Sequence, residues 1–156
     1  MVTSAQPDEP SLTRAEIDAA VFARLEKYKN RGVFEQFALF MGMAQLLELT
    51  LKSFYARRYG VEVDSIERWT LGQVKNALRD RGLRPDFLDF LASVVNYRNH
   101  MAHSFVADMF LMREVFRKET RFETRELENG IYELEQLFVL FEWSEEHDAW
   151  GNDIGH

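Results

Sequence analysis

The chain has no cysteine, which removes disulfides, thiolate metal sites and cysteine nucleophiles together. Proline is scarce, three in 156 residues, and strand-like alternation is almost missing, so long helices have room to form. The opening stretch MVTSAQPDEPS carries no basic residue and no apolar run, and does not read as a secretory signal. Long hydrophobic runs are lacking as well. The most apolar segment, residues 37–51, is interrupted by Gln45, Glu48 and Thr50, and is expected not to span a bilayer. An overall positive charge is absent too: the formal net charge of −7 argues against nucleic-acid binding by the surface as a whole.

What is present is a globular composition, 46% apolar, 13% aromatic and 29% charged. The length suits one domain with a core of its own. The expected layout is a disordered leader over residues 1–10, a single helical domain over 11–148 and a flexible tail over 149–156, in a cytoplasmic protein without membrane contact. Charge is unevenly spread. Residues 52–103 carry nine basic and six acidic side chains, whereas residues 104–156 are strongly acidic. A polyanion is drawn to the first of these and repelled by the second.

The helical pattern is explicit. Thr13 and Glu16 form a capping-box pair before a helix expected over 14–29, with Ile17, Val21, Phe22 and Leu25 on one side. Phe37, Phe40, Met41, Ala44, Leu47, Leu51, Phe54 and Tyr55 recur at three- and four-residue spacing in a second helix over 33–59, stopped by Gly60. Leu39, Met43, Leu46 and Leu49 widen its apolar surface beyond one stripe, as in a helix central to a bundle or shared with another subunit. Thr70 and Gln73 open a third helix that ends at Gly82, and Pro85 opens a fourth carrying Phe87, Leu91, Val94 and Arg98 in register. A last long helix is expected over about 124–146, with Ile131, Leu134, Leu137, Phe138 and Phe141 inward and many glutamates outward. A short helix within 105–123 completes an all-α bundle of four to five helices.

Two charged residues stand on apolar stripes. Glu48 falls inside that of the second helix, where a carboxylate needs a partner. An i,i+4 pair with Lys52, a pair with Arg98 and a supporting role in a site are all open to it. Arg98 continues the stripe of the fourth helix, pointing five fixed donors toward the packed side, which suits a carboxylate or a phosphate. It opens the run Arg98-Asn99-His100-Met101-Ala102-His103. No glycine-rich phosphate loop, HExxH or Glu-x-x-His occurs in the chain. His100 and His103 have no nearby carboxylate or thiol to complete a metal set, and Ser104 lacks the acid of a triad.

The RNHMAH run resembles the arginine, polar residue, histidine signature of the HEPN superfamily, and in outline the likeness extends over residues 14–147. The resemblance implies a helical bundle that dimerises, bringing two motifs into one cleft. It also implies a metal-independent endoribonuclease without cofactor, of the kind found as toxins or effectors in toxin–antitoxin and defence systems, with RNA as substrate and an antitoxin as partner. Carried over by position, Arg98 would hold the phosphate, Asn99 would orient it and His103 would transfer protons, while His100 inherits no role. Some members are non-catalytic interaction modules, which is the alternative reading here. The chemistry is coherent by itself. Imidazole titrates near neutrality and suits removal of the ribose 2′-OH proton, and a fixed guanidinium suits charge on a five-coordinate phosphorus. Two features depart from a simple match. Positions five apart lie roughly 140° around an α-helix, so the helix must unwind near His100 or the pair must be assembled across a dimer. And where one branch of the family has a modifiable tyrosine two residues past the histidine, this chain has Phe105.

Overall fold

Both capping boxes form as the sequence predicts. The Thr13 hydroxyl accepts from the Glu16 backbone N–H at 3.2 Å, and the Glu16 carboxylate accepts from the Thr13 N–H at 2.8 Å. Thr70 and Gln73 make the same exchange at 3.3 and 2.8 Å. The computed structural model describes residues 11–111 and 121–151, with 121–123 as backbone only. The expected leader over 1–10, part of the short helix expected within 105–123 and most of the expected tail lie outside the described residues. The elements are α1 (Arg14–Leu25), α2 (Val33–Tyr59), α3 (Leu71–Asp80), α4 (Pro85–His100), α5 (Val106–Phe110) and α6 (Arg121–Glu146). A π-helical turn, Met101–Phe105, joins α4 to α5 without a break, so the chain forms five rods, an all-α bundle. Among the described residues there is no strand.

Packing follows the predicted stripes. α6 lies against α1, α2 and α4, while α3 closes the opposite side against α2 and α4. Phe40, Leu47, Leu51 and Phe54 of α2 meet Val74 and Leu78 of α3, Phe87, Leu91 and Val94 of α4, and Leu127, Leu134 and Leu137 of α6 in one core. Each such side chain contributes about 1.5–3 kcal/mol on burial. α2 stops at Gly60, whose φ of 66° is a left-handed cap that a side chain would strain. By length and composition α2 is apolar enough to cross a bilayer, which residues 37–51 alone are not; in this fold one face of it lines the core.

Three expectations need correction. α1 ends at Leu25 and tightens into a 3₁₀ turn, Glu26–Tyr28, which turns the Tyr28 ring inward. α6 begins at Arg121 rather than 124. Many of its glutamates do face outward, but Glu135 is fully buried and receives Arg24 Nε at 2.7 Å, Lys27 Nζ at 2.5 Å and the Tyr28 hydroxyl at 2.9 Å. Burial, reinforced by this carboxylate, pushes the Tyr28 phenol well above its ordinary pKa. α1 is thus clamped to α6 by paired charges around little more than Val21. Finally, the domain does not end at 148. Trp150 is buried among Phe54, Phe87 and Phe141, with ring centroids at 4.6, 5.0 and 5.4 Å, and its indole N–H donates to Glu145 at 2.9 Å.

Candidate active site

α4 is built to deliver its last turn to the end of the bundle. Pro85 starts it, and Arg84 and Asp86 brace that start through Nε–Oδ1 at 2.7 Å, the guanidinium holding the Asp86 carboxyl below its ordinary pKa. Near the other end Tyr97 lies over Gly130 of α6, where an added Cβ would meet the Tyr97 ring at 3.3 Å. Burial raises the Tyr97 phenol, and the Glu126 and Glu133 carboxylates push in the same direction. The helix axis is therefore pinned just before Arg98.

Arg98 does not point into the core as its register suggests. It is half-exposed, and its Nη1 donates to the Asn99 side-chain oxygen at 3.3 Å. Cover resumes beyond it, since Met101, Phe105 and Met109 further along the same rod are buried, so the partial exposure belongs to Arg98 itself and not to the end of the bundle. Asn99 and His103 are both exposed, and no described residue hydrogen-bonds the His103 imidazole. Arg98 and Asn99 thus form one polar pair at the surface, with His103 one turn further on.

The helix does not stop at the motif but underwinds just past His100. It widens into the π turn that contains His103. Bonding from i to i+5 advances less per residue than an α-helix does, so the separation of Arg98 and His103 about the axis falls below the ~140° of a regular helix. The packing explains why the turn forms. Met101, Phe105 and Met109 are all buried, and two four-residue steps would drift roughly 80° around an ideal α-helix. The wider turn takes up part of that drift. Phe105 is anchored by stacking on Phe37, with centroids 5.1 Å apart and planes at 11°. Phe105 is thus a core residue.

Glu48 is not brought to the motif. It accepts from Lys52 Nζ at 2.9 Å, and the same ammonium donates to the Glu67 carbonyl at 2.7 Å. A buried lysine with two acceptors accounts for a carboxylate on the apolar stripe, and neither the supporting role nor the pair with Arg98 is realised. His100, by contrast, lines a hollow of about 370 Å³ with Ser93, Asn96, Tyr97 and Glu126, on a face of α4 turned roughly 160° from Arg98 by α-helical winding. Among the described residues no three of His, Asp or Glu converge as a metal-ligand set. No family model matches the chain, and neither a curated protein nor a solved structure matches it.

Proposed function

We propose that the chain is a HEPN-type, metal-independent endoribonuclease that works as a homodimer, the toxin or effector of a toxin–antitoxin or defence system. The observation that carries this reading is the Arg98-Asn99-x3-His103 run on an exposed, widened turn at the end of an all-α bundle. Arg98, held by Asn99, would neutralise the scissile phosphate, and His103 would take the proton of the attacking 2′-OH and return one to the 5′-oxygen. RNA alone supplies that nucleophile.

The dimer rests on the outward face of α2. From residue 36 to residue 47 the helix has no charged side chain, and Ala38, Gly42, Leu46 and Leu49 lie exposed on one side. A Cβ on Gly42 would meet nothing within 4 Å, so a second helix has room to approach its backbone there. A solvent-facing stripe with this composition is a surface that seeks a partner, and a two-fold axis lets it cover itself. Light scattering at roughly tens of micromolar, where a standard-sized interface holds, should return the mass of a dimer. Leu46→Glu should return a monomer with unchanged circular dichroism, because Leu46 contributes nothing to the core of one subunit. A monomeric wild type would remove the two-motif cleft from the proposal.

The competing reading, a non-catalytic interaction module, draws on the same stripe and on the net charge of −7, which disfavours RNA. Cleavage assays separate the two. A module binds partners through α2 and leaves RNA intact at every enzyme concentration.

A further inference from the structure

The side of the bundle away from α6 has a second built feature. A hollow of about 620 Å³ opens between the last turns of α2 and the polar face of α3. Its rear wall is aromatic: the buried Tyr55 ring meets Trp69 edge-on at 5.4 Å and Tyr59 at 4.9 Å. Trp69 lies between the 3₁₀ turn Val63–Ile66, which follows α2, and the Thr70 cap of α3. That turn is fastened by buried Ile66 and by the bond from Lys52 to the Glu67 carbonyl. The Glu48–Lys52 pair, inert toward the α4 motif, thus holds the Trp69 wall in place. Among the described residues the indole has one ring neighbour, Tyr55.

Arg81 closes one end. Its guanidinium lies 4.8 Å from the Tyr59 ring centroid and 5.6 Å from that of Tyr55, and its Nε donates to the Tyr55 hydroxyl at 3.2 Å. Stacking and this bond fix the plane of the fork, while no described carboxylate takes its Nη groups. Asp80, next in sequence, faces Arg79 instead, at 3.8 Å. Gln73 and Asn76 put side-chain amides on the near wall; the Gln73 oxygen is spent on the Thr70 cap, which leaves its N–H₂ to donate. The hollow therefore offers aromatic faces set at an angle to one another, two amides, one acceptor carboxylate and an arginine oriented but uncommitted. Its size falls in the range of small-ligand sites. It also lies within the net-positive third of the sequence, residues 52–103.

We infer that this edge of the bundle is a nucleotide-binding site, with the base against Trp69 and within reach of Asn76 and Gln73, and the phosphate on Arg81. An aromatic face takes any base, a guanidinium fork fits a phosphate, and paired amides discriminate base edges. The ligand is a free mononucleotide or one unpaired nucleotide of a strand. The site lies apart from the α4 motif and does not depend on whether that motif cleaves RNA.

The full-length protein is titrated with AMP, GMP, CMP and UMP, followed by tryptophan fluorescence and calorimetry, alongside adenosine and ribose 5-phosphate as half-ligands and a single-stranded RNA oligonucleotide. At least one mononucleotide should bind and quench fluorescence, and each half-ligand should bind about tenfold or more weakly. Trp69→Leu should weaken binding about tenfold through lost stacking. Arg81→Gln should weaken it by roughly ten- to a hundredfold through the lost charged hydrogen bonds. Asn76→Ala, at an exposed position that the fold does not use, should change the ranking of the four bases even if the Arg81 variant proves unstable. An oligonucleotide binding far more tightly than any mononucleotide assigns the site to a strand, and the reverse assigns it to the free nucleotide. No binding at millimolar ligand, equal binding of ribose 5-phosphate, or affinity unchanged in folded Trp69→Leu and Asn76→Ala proteins would overturn the assignment.

Discussion

His103→Ala, folded as the wild type is, is expected to cleave single-stranded RNA about two to four orders of magnitude more slowly, the usual worth of a positioned acid–base group. Arg98→Ala should fall by a comparable factor, because a guanidinium at the phosphate acts on charge that develops only in the transition state. The structure makes both substitutions interpretable. Arg98 is half-exposed, with Asn99 as its hydrogen-bond partner, and His103 is exposed, so truncating either leaves no buried charge unpaired. His100→Ala should matter far less, since His100 faces the hollow beside Glu126 on another side of α4. Wild-type cleavage should persist in EDTA, leave 2′,3′-cyclic phosphate or its hydrolysis product, and spare DNA, which lacks the nucleophile. Purified wild type and the three variants on mixed single-stranded RNA, with circular dichroism as the folding control, are enough to decide it. Full activity in a folded His103→Ala protein, or activity lost with EDTA, would sink this mechanism.

Trp150→Ala is expected to destabilise the fold by about 3–5 kcal/mol, the cost of deleting a large buried aromatic from a packed site. For a chain of this size that lowers Tm by roughly 6–20 °C. Trp150 is 1% exposed, sits among three phenylalanines from α2, α4 and α6, and gives its N–H to Glu145. Its carbonyl also accepts from the Arg84 backbone N–H at 3.1 Å, which ties the end of α6 to the start of α4. A chain ending at Asp148 should lose at least as much. Thermal and urea denaturation followed by circular dichroism measure both. A cost under about 0.5 kcal/mol, ordinary for a surface substitution, would return residues 149–151 to the tail that the sequence suggests.

The elements legible in the sequence are those whose determinants are local. Thr13 with Glu16, Thr70 with Gln73, Pro85 and Gly60 each act on a backbone group within a few residues, and each helix end they mark is where the structure has it. The three- and four-residue spacing from Phe40 to Phe54 likewise states which face of α2 is covered. The candidate motif is legible in its residue types, because the demands of phosphate binding and proton transfer fall on side-chain chemistry. Its arrangement is not. Arg98 keeps an apolar register in sequence and is still half-exposed, because cover is a property of the neighbouring helices and not of the register.

Helices, caps and the apolar faces that make a bundle follow from local order along the chain, since hydrogen bonds between i and i+4 and their caps are closed within one segment. The remaining features come from contacts between segments. Glu135 is buried because Arg24, Lys27 and Tyr28, more than a hundred positions away, close over it. Lys52 is buried because the Glu67 carbonyl arrives beside Glu48, and Trp69 gains its place from that bond. The π turn forms because Met101, Phe105 and Met109 must all reach one core, which outweighs the preference of each residue for the narrower helix. In each case the free energy lies in contacts between distant segments, and the period of a single helix holds no record of them.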